Sequence, residues 1–279
     1  MRVRFWGVRG SIAAAGPETA QVGGNTSCVE VRVDDTLIIF DAGTGLRRLG
    51  ESLTGPVAAH LLLSHLHWDH IQGFPFFGPA YAPGNRIRLY APERCAANGD
   101  VRAALDAQMR APHFPVGLDA MRAELSFGAV AAGAQLTLGA ATVHAAAAKH
   151  PNGCLAYRVD AGGRSVVYAT DTEHDATGRI DRQLVELARG ADVLIYDAQY
   201  TADEYAKRRG WGHSTAEEGA RLAEAAGVGQ LVLYHHDPAH DDWEIARIEA
   251  ATRGRFPSTT AAREGLVLTL DPRTARSAA

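Results

Sequence analysis

The sequence predicts an α/β protein in which two β-sheets are covered by helices. Two observations lead to this prediction. In the first ninety residues, short apolar runs are separated by glycine-rich turns, which is the pattern of strands. From residue 180 onward, strands alternate with longer segments of helical periodicity. A chain that mixes strand-rich stretches with amphipathic helices favours packed layers over one simple parallel sheet.

The individual elements follow from their apolar patterns and from the turns between them. Four strands are expected before the first histidine-rich segment: RVRFWGV, CVEVRV, TLIIFD and AAHLLLS. The middle of the chain contains a helix at 101–111 and then the strands AQLTLG, ATVHAAAA, CLAYRVD and RSVVYATD. The last part contains helices at 180–189, 202–209, 215–226 and 241–253, strands at 192–197 and 230–235, and a final strand, EGLVLTL.

No fixed-period repeat or linker-like segment interrupts the chain of 279 residues, which is long enough for a large core. We therefore expect one domain over residues 1–270 and a flexible polar tail at 271–279. The composition, with 46% hydrophobic and 22% charged residues, is ordinary for a globular protein. The net charge of −4 argues against binding of extended nucleic acid, whereas bound metal ions could still attract a small anion.

The sequence also carries signals about location. The segment MRVRFWGVRGS lacks the apolar region of a signal peptide, and no run approaches the roughly 18 apolar residues of a membrane span. Cys28, Cys95 and Cys154 are odd in number and form no C-x-x-C pair, which favours a reducing environment. We therefore expect a cytoplasmic protein that does not contact a membrane.

One short segment is unusually rich in metal-binding residue types. His65, His67, Asp69 and His70 follow the aliphatic run at 61–63 directly, where a buried strand gives way to a loop. A surface loop rarely needs so many imidazoles, and clustered histidine and aspartate side chains are typical metal ligands. The spacing H-x-H-x-D-H can supply ligands to both metals of a pair.

Further residues of ligand type follow other strands. His150 ends an alanine-rich strand and precedes a proline, which favours extended backbone at the histidine. Asp171 ends SVVYATD, and His235 and His236 follow QLVLY. A lone histidine at a strand end is more often a surface or capping residue, so several histidines are left out of the site. These are His60, His113, His144, His174 and His240.

This order of motifs resembles the metallo-β-lactamase superfamily, from FWGVRGS to LVLYHHDP. The resemblance implies an αββα sandwich with two divalent metal ions in a cleft at one edge of the sheets. It also implies a ligand for every position of a dinuclear site. These ligands are His65, His67 and His150 for one metal, Asp69, His70 and His236 for the second, and Asp171 as the bridge.

Four further features of the sequence bear on the ligands and the metal of this site. His236 is preferred to the alternative, His235, because it lies further beyond the apolar strand. Asp171 stands where penicillin-hydrolysing members with a thiolate ligand have cysteine, and its oxygens suit a symmetric metal pair. The ligand set favours Zn²⁺ and leaves Mn²⁺ and Fe²⁺ open. Asp41, in IIFDAGTG, matches a family Asp-x-Gly motif and is expected to orient the ligand loop. Without the resemblance, an aspartate that starts a glycine turn is nearly as good an explanation.

The segment GWGHSTAEEGARL indicates the class of reaction. Ser214 and Glu217 are spaced as a helix capping box, which alone would make His213 a bystander. In context, His213 resembles the histidine of the His-Ser-Thr motif in tRNase Z-type phosphodiesterases, which protonates the leaving oxygen. Asp197, in YDAQY, falls where those enzymes keep a carboxylate, usually glutamate, that pairs with this histidine. The expected catalytic residues are His213, Asp69 and Asp197.

The substrate class follows from what surrounds these motifs. The chain shows no basic arm of the kind that tRNase Z uses for RNA, and the basic run at 207–209 can be explained by the dipole of a helix C-terminus. The N-terminal segment, HWDHIQGFPFF and HHDPAHDD resemble compact relatives that hydrolyse cyclic nucleotides, the anti-Pycsar phosphodiesterases and their bacterial homologues. The resemblance thus implies a homodimer that converts a small 3′,5′-cyclic nucleotide to a nucleoside monophosphate.

Other interpretations remain open. The same metal site could serve a tRNase Z-like RNA endonuclease, or a hydrolase of thioesters, lactones or β-lactams. A protein that binds nucleotide and metals without turnover is the alternative that is not an enzyme. Four aromatic residues after the histidine motif could form an apolar wall for a nucleobase or belong to the core. They are Phe74, Phe76, Phe77 and Tyr81.

Overall fold

The computed structural model of the protein describes residues 1–95, 100–175 and 177–273. It contains two sheets of seven strands each. The first sheet has the strand order β14-β1-β2-β3-β4-β5-β6. Its strands are Arg2–Gly7 (β1), Cys28–Val33 (β2), Thr36–Phe40 (β3), Ala58–Leu62 (β4), Arg86–Pro92 (β5), Glu124–Val130 (β6) and Val267–Thr269 (β14).

The second sheet has the strand order β13-β12-β11-β10-β9-β8-β7. Its strands are Gln135–Leu138 (β7), Ala141–Ala148 (β8), Cys154–Ala161 (β9), Arg164–Ala169 (β10), Val193–Asp197 (β11), Gln230–Tyr234 (β12) and Thr259–Ala261 (β13). The helices are Gly45–Ser52 (α1), Trp68–Ile71 (α2), Val101–Gln108 (α3), Arg182–Ala188 (α4), Ala202–Lys207 (α5), Ala216–Ala226 (α6) and Asp242–Arg253 (α7).

The central strands are apolar on both faces because each sheet is covered on both sides. In β3, Ile38 and Phe40 pack into the core between the sheets, whereas Leu37 and Ile39 pack outward with residues of α1 and α3. The second sheet repeats this division: the outward face of β11 packs with residues of α4 and α6. Successive side chains of a strand point to opposite faces, so nearly continuous apolar runs are required here. The layers are therefore helix, sheet, sheet and helix, which confirms the predicted αββα sandwich.

Polar caps define where several helices begin. Asp100 accepts a hydrogen bond from the backbone N–H of Ala103 (2.9 Å) and starts α3. Asp181 accepts from Gln183 at 2.8 Å and starts α4. Side-chain oxygens accept hydrogen bonds from backbone N–H groups that the first helical turn leaves without a partner. The predicted helices at 101–111 and 180–189 are thus present in shorter form.

Several elements differ from the sequence prediction. Helix α1 lies in a segment that the sequence predicts to be a glycine-rich loop. The helix is missed because each of its turns contains a glycine and Leu46 and Leu49 are its only large buried side chains. Strands β5 and β6 pair in parallel with each other, and neither is predicted. Strand β13 is only three residues long and is also missed. Strand β13 has too few alternating positions to stand out from a loop.

The topology brings several strand ends to one edge of the sandwich. Strands β3 and β4 are parallel in the first sheet, as are β10, β11 and β12 in the second. Strand β8 runs antiparallel to β9, which itself runs antiparallel to β10, so β8 ends at the same edge as β10. Polar residues that follow these strands therefore converge, as ligand sites do at the carboxyl ends of strands in open α/β sheets.

The C-terminal residues that the structure describes lie against the second sheet. The backbone N–H of Arg273 donates to the carbonyl of Gly162 at 3.0 Å, and its side chain pairs with Asp192 at 2.8 Å. The remainder of the tail predicted at 271–279, residues 274–279, lies outside the described residues. Among the residues that are described, no helix has the length and apolar character needed to cross a membrane.

Phe40 lies at the centre of the core between the two sheets. Its ring is fully buried and stacks on Tyr168 and Tyr157, with centroid distances of 4.9 and 5.7 Å. We expect Phe40→Ala to lower the free energy of unfolding by about 3–5 kcal/mol, because it leaves a cavity between the sheets. Urea unfolding in the presence of chelator measures this change without a contribution from metal binding.

Phe76→Ala is the matched control, since the same side chain is removed from a position that is 57% exposed. We expect this variant to stay within about 0.5 kcal/mol of the parent. Similar losses for the two variants would contradict the placement of Phe40 at the centre of the core.

Candidate metal centre

The histidine-rich segment surrounds a single helical turn. His65 lies in the loop after β4, His67 is the N-cap of α2, and Asp69 and His70 lie within that helix. His65, Asp69 and His70 are buried, whereas His67 is half-buried. One turn of helix brings residues three and four positions apart to the same side. The four side chains of the motif divide between two neighbouring groups, with His65 and His67 in one and Asp69 and His70 in the other.

The first group contains His65, His67 and His150, whose nitrogens lie within 4.8 Å of one another. The Nε2 atom of His150 lies 3.1 Å from Nδ1 of His67. The Oδ1 atom of Asp171 lies 3.8 Å from Nε2 of His65 and 3.7 Å from Nε2 of His150. One carboxylate oxygen thus faces this group.

The second group contains Asp69, His70 and His235. The Nε2 atom of His70 lies 3.1 Å from Oδ2 of Asp69 and 3.2 Å from Nε2 of His235. The other oxygen of Asp171, Oδ2, lies 3.2 Å from Nε2 of His70 and 3.3 Å from Nε2 of His235. Because its two oxygens face different groups, Asp171 has the geometry of a bridging ligand.

The choice of His236 as the last ligand is wrong, and His235 takes its place. The Nε2–H group of His236 donates to the carbonyl of Ala262 at 3.0 Å, away from both groups. Burial, together with the Arg9 guanidinium, lowers the pKa of His236 to about 3. His235 has a φ of 59°, and this left-handed turn directly after β12 directs its ring toward Asp69 and Asp171. Distance along the chain beyond the strand is therefore a poor guide to the ligand.

The left-handed conformation recurs at two more strand ends next to the cluster. Asp171 and Asp41 have φ values of 50° and 60°. Aspartate and histidine adopt this conformation more readily than most residues with a side chain. All three residues belong to the cluster or contact it, so the turn after each strand is what aims the polar group at the edge of the sandwich.

The donor set fits two divalent cations. The Nε2 atom of His65 is buried and finds no hydrogen-bond partner within the described ranges. Burial lowers the pKa values of His65, His67 and His150, so these imidazoles are neutral, which is the form that binds metal. Burial opposes ionisation of Asp171, but His235 and other histidines outweigh it and hold the pKa of its carboxyl well below the usual range. Neutral imidazoles around ionised carboxylates are the ligands that such cations require.

Three of the histidines are oriented through their second nitrogen. The Nδ1–H group of His70 donates to Oδ2 of Asp41 at 2.8 Å, and that of His235 donates to Oε1 of Gln199 at 2.9 Å. The Nδ1–H group of His150 donates to the carbonyl of Gly212 at 2.8 Å. Each contact fixes the tautomer that leaves Nε2 free to bind a metal, as acceptors behind metal-binding histidines usually do.

Asp41 also ties the two sheets together behind His70. Its Oδ2 atom accepts hydrogen bonds from the hydroxyls of Tyr168 (2.7 Å) and Ser64 (2.8 Å). Its Oδ1 atom accepts from the backbone N–H of Ser64 at 2.6 Å. Asp41 follows β3, and Tyr168 belongs to β10 in the opposite sheet. These contacts agree with the orienting role expected from the Asp-x-Gly motif and exceed what a simple turn residue would make.

His213 and Asp197 form a buried pair next to the cluster. The Nδ1–H group of His213 donates to Oδ2 of Asp197 at 2.9 Å, so the shorter aspartate side chain reaches the histidine. The ring of His213 lies 5.0 Å from that of His235 and 5.2 Å from that of His150. Burial opposes the positive charge, but Asp197 outweighs it and raises the pKa of His213 to about 9. A protonated histidine can therefore lie beside both groups of ligands.

Comparison with known proteins identifies the family. A profile described as the beta-lactamase superfamily domain matches residues 36–236, which is most of the chain. The chain belongs to the β-lactamase superfamily. The predicted superfamily and the predicted class of metal-dependent hydrolase are confirmed.

Relatives with similar sequences include a ribonuclease and an uncharacterized protein. Ribonuclease Z of Haloarcula marismortui is 27% identical to the chain and covers 84% of it, with 86% of the relative matched. An uncharacterized protein of Mycobacterium tuberculosis is 32% identical over 72% of this chain and 70% of its own length.

Solved structures of the superfamily agree with the fold. The metallo-β-lactamase fold protein YhfI of Bacillus subtilis superposes with a TM-score of 0.71 at 20% identity, over 96% of this chain and 98% of that one. The short form of human tRNase Z gives 0.70 at 20% identity, over 97% and 100%. A diphosphatase of the PhnP family gives 0.69 at 20% identity, over 97% and 98%.

Some residues of this superfamily site carry no signal in the sequence. Gln199 contacts His235, and the backbone N–H of Ser11 donates to Oδ2 of Asp69 at 2.8 Å. Neither residue lies in a recognisable spacing, because each reaches the cluster from a different loop. Of the four aromatic residues considered for a nucleobase wall, Phe74 and Phe77 are fully buried in the core. Only Phe76 among the four is largely exposed.

The two adjacent histidines provide a matched test of the ligand set. We expect His235→Ala to lose about one metal equivalent per chain, because Asp69 and His70 cannot complete the second group alone. We expect His236→Ala to keep its full metal content, since its ring bonds only to a backbone carbonyl. Metal analysis of the two purified variants after gel filtration measures the difference. Loss of metal from His236→Ala with retention in His235→Ala would contradict this assignment.

Proposed function

We propose that the protein is a dinuclear metal-dependent phosphodiesterase that hydrolyses small 3′,5′-cyclic nucleotides to nucleoside monophosphates. The observation that supports this most strongly is the His213–Asp197 pair, whose Nδ1–Oδ2 distance is 2.9 Å, beside the two groups of metal ligands. A phosphodiester leaving group departs as an alkoxide and therefore gains from a nearby proton donor. Hydrolysis of a thioester releases a better leaving group and depends less on such a donor.

The proposed metals are two Zn²⁺ ions, with Mn²⁺ and Fe²⁺ as alternatives. When bound, such a pair neutralises charge on the phosphoryl oxygens and lowers the pKa of a water molecule. The residues that would hold the ions are His65, His67 and His150 on one side, Asp69, His70 and His235 on the other, and Asp171 between them.

Side chains of the protein itself would supply and position the proton donor and orient the attacking water. Asp197 holds the Nδ1–H group of His213, so the proton on Nε2 is available to the leaving oxygen. Asp197 is itself fixed by backbone N–H groups, those of Gln199 (3.1 Å) and Ser214 (3.3 Å). Burial opposes ionisation of Asp69, but His70 and His235 together outweigh it and lower the pKa of its carboxyl. We propose that this carboxylate, besides binding metal, accepts a hydrogen bond from the attacking water.

A second candidate has support of its own. Relatives named ribonuclease Z match 84% of the chain or more, which favours a tRNase Z-like RNA endonuclease. The net charge of −4 favours a small substrate instead, because RNA-binding surfaces are usually basic. The PhnP-family diphosphatase that shares this fold indicates that the fold is not restricted to enzymes acting on RNA. The two candidates share the metals and the proton donor and differ in substrate alone.

A substrate panel separates these candidates. Purified protein loaded with defined metals is offered cyclic mononucleotides, cyclic dinucleotides, bis-p-nitrophenyl phosphate, pre-tRNA, and thioester and lactone substrates. We expect the highest kcat/KM on a 3′,5′-cyclic nucleotide. Rapid cleavage of pre-tRNA without turnover of cyclic nucleotides would establish the endonuclease. Activity confined to thioesters or lactones would overturn both phosphodiesterase candidates.

We also propose that the protein forms a homodimer. Light scattering coupled to gel filtration measures its molar mass in solution and checks this proposal.

His213→Ala tests the proton donor. The variant loses none of the proposed ligands, so we expect it to keep its metal content. Its turnover of cyclic nucleotide should fall by about 10²- to 10⁴-fold, the usual contribution of general acid–base catalysis. Hydrolysis of bis-p-nitrophenyl phosphate should fall much less, because p-nitrophenolate leaves without a proton. Steady-state kinetics on both substrates measure the two losses.

His113→Ala is the control, because it removes the same side chain from an exposed position. It should leave both activities unchanged. Equal losses on the two substrates in metal-replete His213→Ala would assign His213 to substrate binding or to structure instead of proton transfer.

A further inference from the structure

We infer that Glu173 is a positioning residue that aligns His150 and His213 through the glycine turn at residues 210–212. In its catalytic part this inference rests on the proposed function, whereas its effect on metal binding does not. Glu173 is 9% exposed and does not belong to any of the groups whose atoms could hold a metal among the described residues. Its carboxylate faces backbone N–H groups instead.

Both carboxylate oxygens of Glu173 bind the glycine turn. Oε1 accepts a hydrogen bond from the backbone N–H of Gly210 at 2.8 Å, and Oε2 accepts from Gly212 at 2.9 Å. The Tyr205 hydroxyl donates to Oε1 as a third contact, at 3.3 Å. Hydrogen bonds from backbone N–H groups to a carboxylate are stronger than those to neutral acceptors. The turn is therefore held at both of its ends by one side chain.

The glycine turn is in direct contact with a proposed metal ligand. The carbonyl of Gly212 accepts the Nδ1–H group of His150 at 2.8 Å. Gly210 and Gly212 have φ values of 88° and 90°, which residues with a Cβ rarely adopt. A Cβ atom on Gly212 would lie 2.2 Å from Nδ1 of His150. The position of this turn thus sets the orientation of the His150 ring.

The same turn leads directly into the proposed proton donor. His213 follows Gly212 in sequence, so displacement of Gly212 moves the backbone of His213 as well. Glu173 is also linked to the ligand loops through its own backbone. Its N–H group donates to the carbonyl of Lys149 at 2.8 Å, and it lies two residues after Asp171. One residue therefore connects the segments that carry Asp171, His150 and His213.

Glu173→Gln is the informative substitution. Glutamine keeps the size of the side chain but has a single carbonyl oxygen, so it can accept from only one of the two glycine N–H groups. Its amide donor then faces the other N–H group. We expect the turn to detach at one end while the chain remains folded.

Two measurements test the contact between Glu173 and the glycine turn without any substrate. Zn²⁺ affinity, determined by competition with a chelator, should fall about 10- to 100-fold, the usual effect of removing a group that orients a metal ligand. Hydrogen–deuterium exchange should accelerate in peptides that contain residues 210–212. Glu217→Gln is the matched control, because Glu217 is an exposed carboxylate on the neighbouring helix α6, and it should change neither quantity.

Kinetics test the link to His213. In Glu173→Gln saturated with Zn²⁺, turnover of a substrate with a poor leaving group should fall more than turnover of bis-p-nitrophenyl phosphate. Glu173→Asp keeps both oxygens on a shorter side chain and should give intermediate losses of affinity and turnover. A residue that only supports the fold would lower Tm without changing the ratio between the two substrates.

The outcomes separate this inference from the proposed function. Parental Zn²⁺ affinity and parental exchange in folded Glu173→Gln would overturn the positioning role, whatever the substrate is. If Glu173→Gln does not fold, the same measurements on Glu173→Asp decide, and parental values there would overturn it equally. Absence of phosphodiester turnover in the parent would overturn the proposed function. Zn²⁺ affinity and hydrogen–deuterium exchange would then remain as tests of the positioning role of Glu173.

Discussion

The two-sided contact of Asp171 is the interaction on which the rest of the site depends. One oxygen faces His65 and His150, and the other faces His70 and His235. A buried carboxylate is costly unless positive charge or hydrogen-bond donors surround it. Asp171 follows β10 at the centre of the second sheet, so every other ligand must be delivered to it from neighbouring strand ends. The convergence of strand ends at one edge of the sandwich satisfies this requirement.

The centre is also a junction between the sheets. The proposed ligands at 65–70 come from the segment after β4 in the first sheet, whereas His150 and His235 follow strands of the second. Behind them, the Asp41–Tyr168 hydrogen bond joins the same two sheets. Metal ions bound by the proposed ligands would therefore stabilise the packing of one sheet on the other, because ions that bind only the folded chain shift the folding equilibrium. Positioning groups such as Gln199 and Gly212 refine a geometry that the sandwich already provides.

The sequence predicts most of the fold and most of the residues that converge at the candidate site, because both leave local patterns. The H-x-H-x-D-H spacing is compact, and His150 and Asp171 stand at the ends of recognisable strands. The choice between His235 and His236 depends on a left-handed backbone turn, which hydropathy does not encode. Gln199 and Glu173 act through contacts between distant loops and have no characteristic spacing. Strands β5 and β6 are missed because the segments around them are rich in proline, glycine and alanine, which favour loops.

The left-handed turns at Asp41, Asp171 and His235 restrict which amino acids can rebuild this centre. Short polar side chains tolerate a positive φ, whereas longer or β-branched ones pay for it in strain. Exchanging Asp171 for glutamate to recruit a different metal would thus change the backbone as well as the reach of the carboxylate. Redesign of the metal preference is better directed at His67, whose backbone has an extended conformation with φ of −65° and ψ of 154°. Backbone conformation, as much as ligand chemistry, sets the routes by which such a site can be altered.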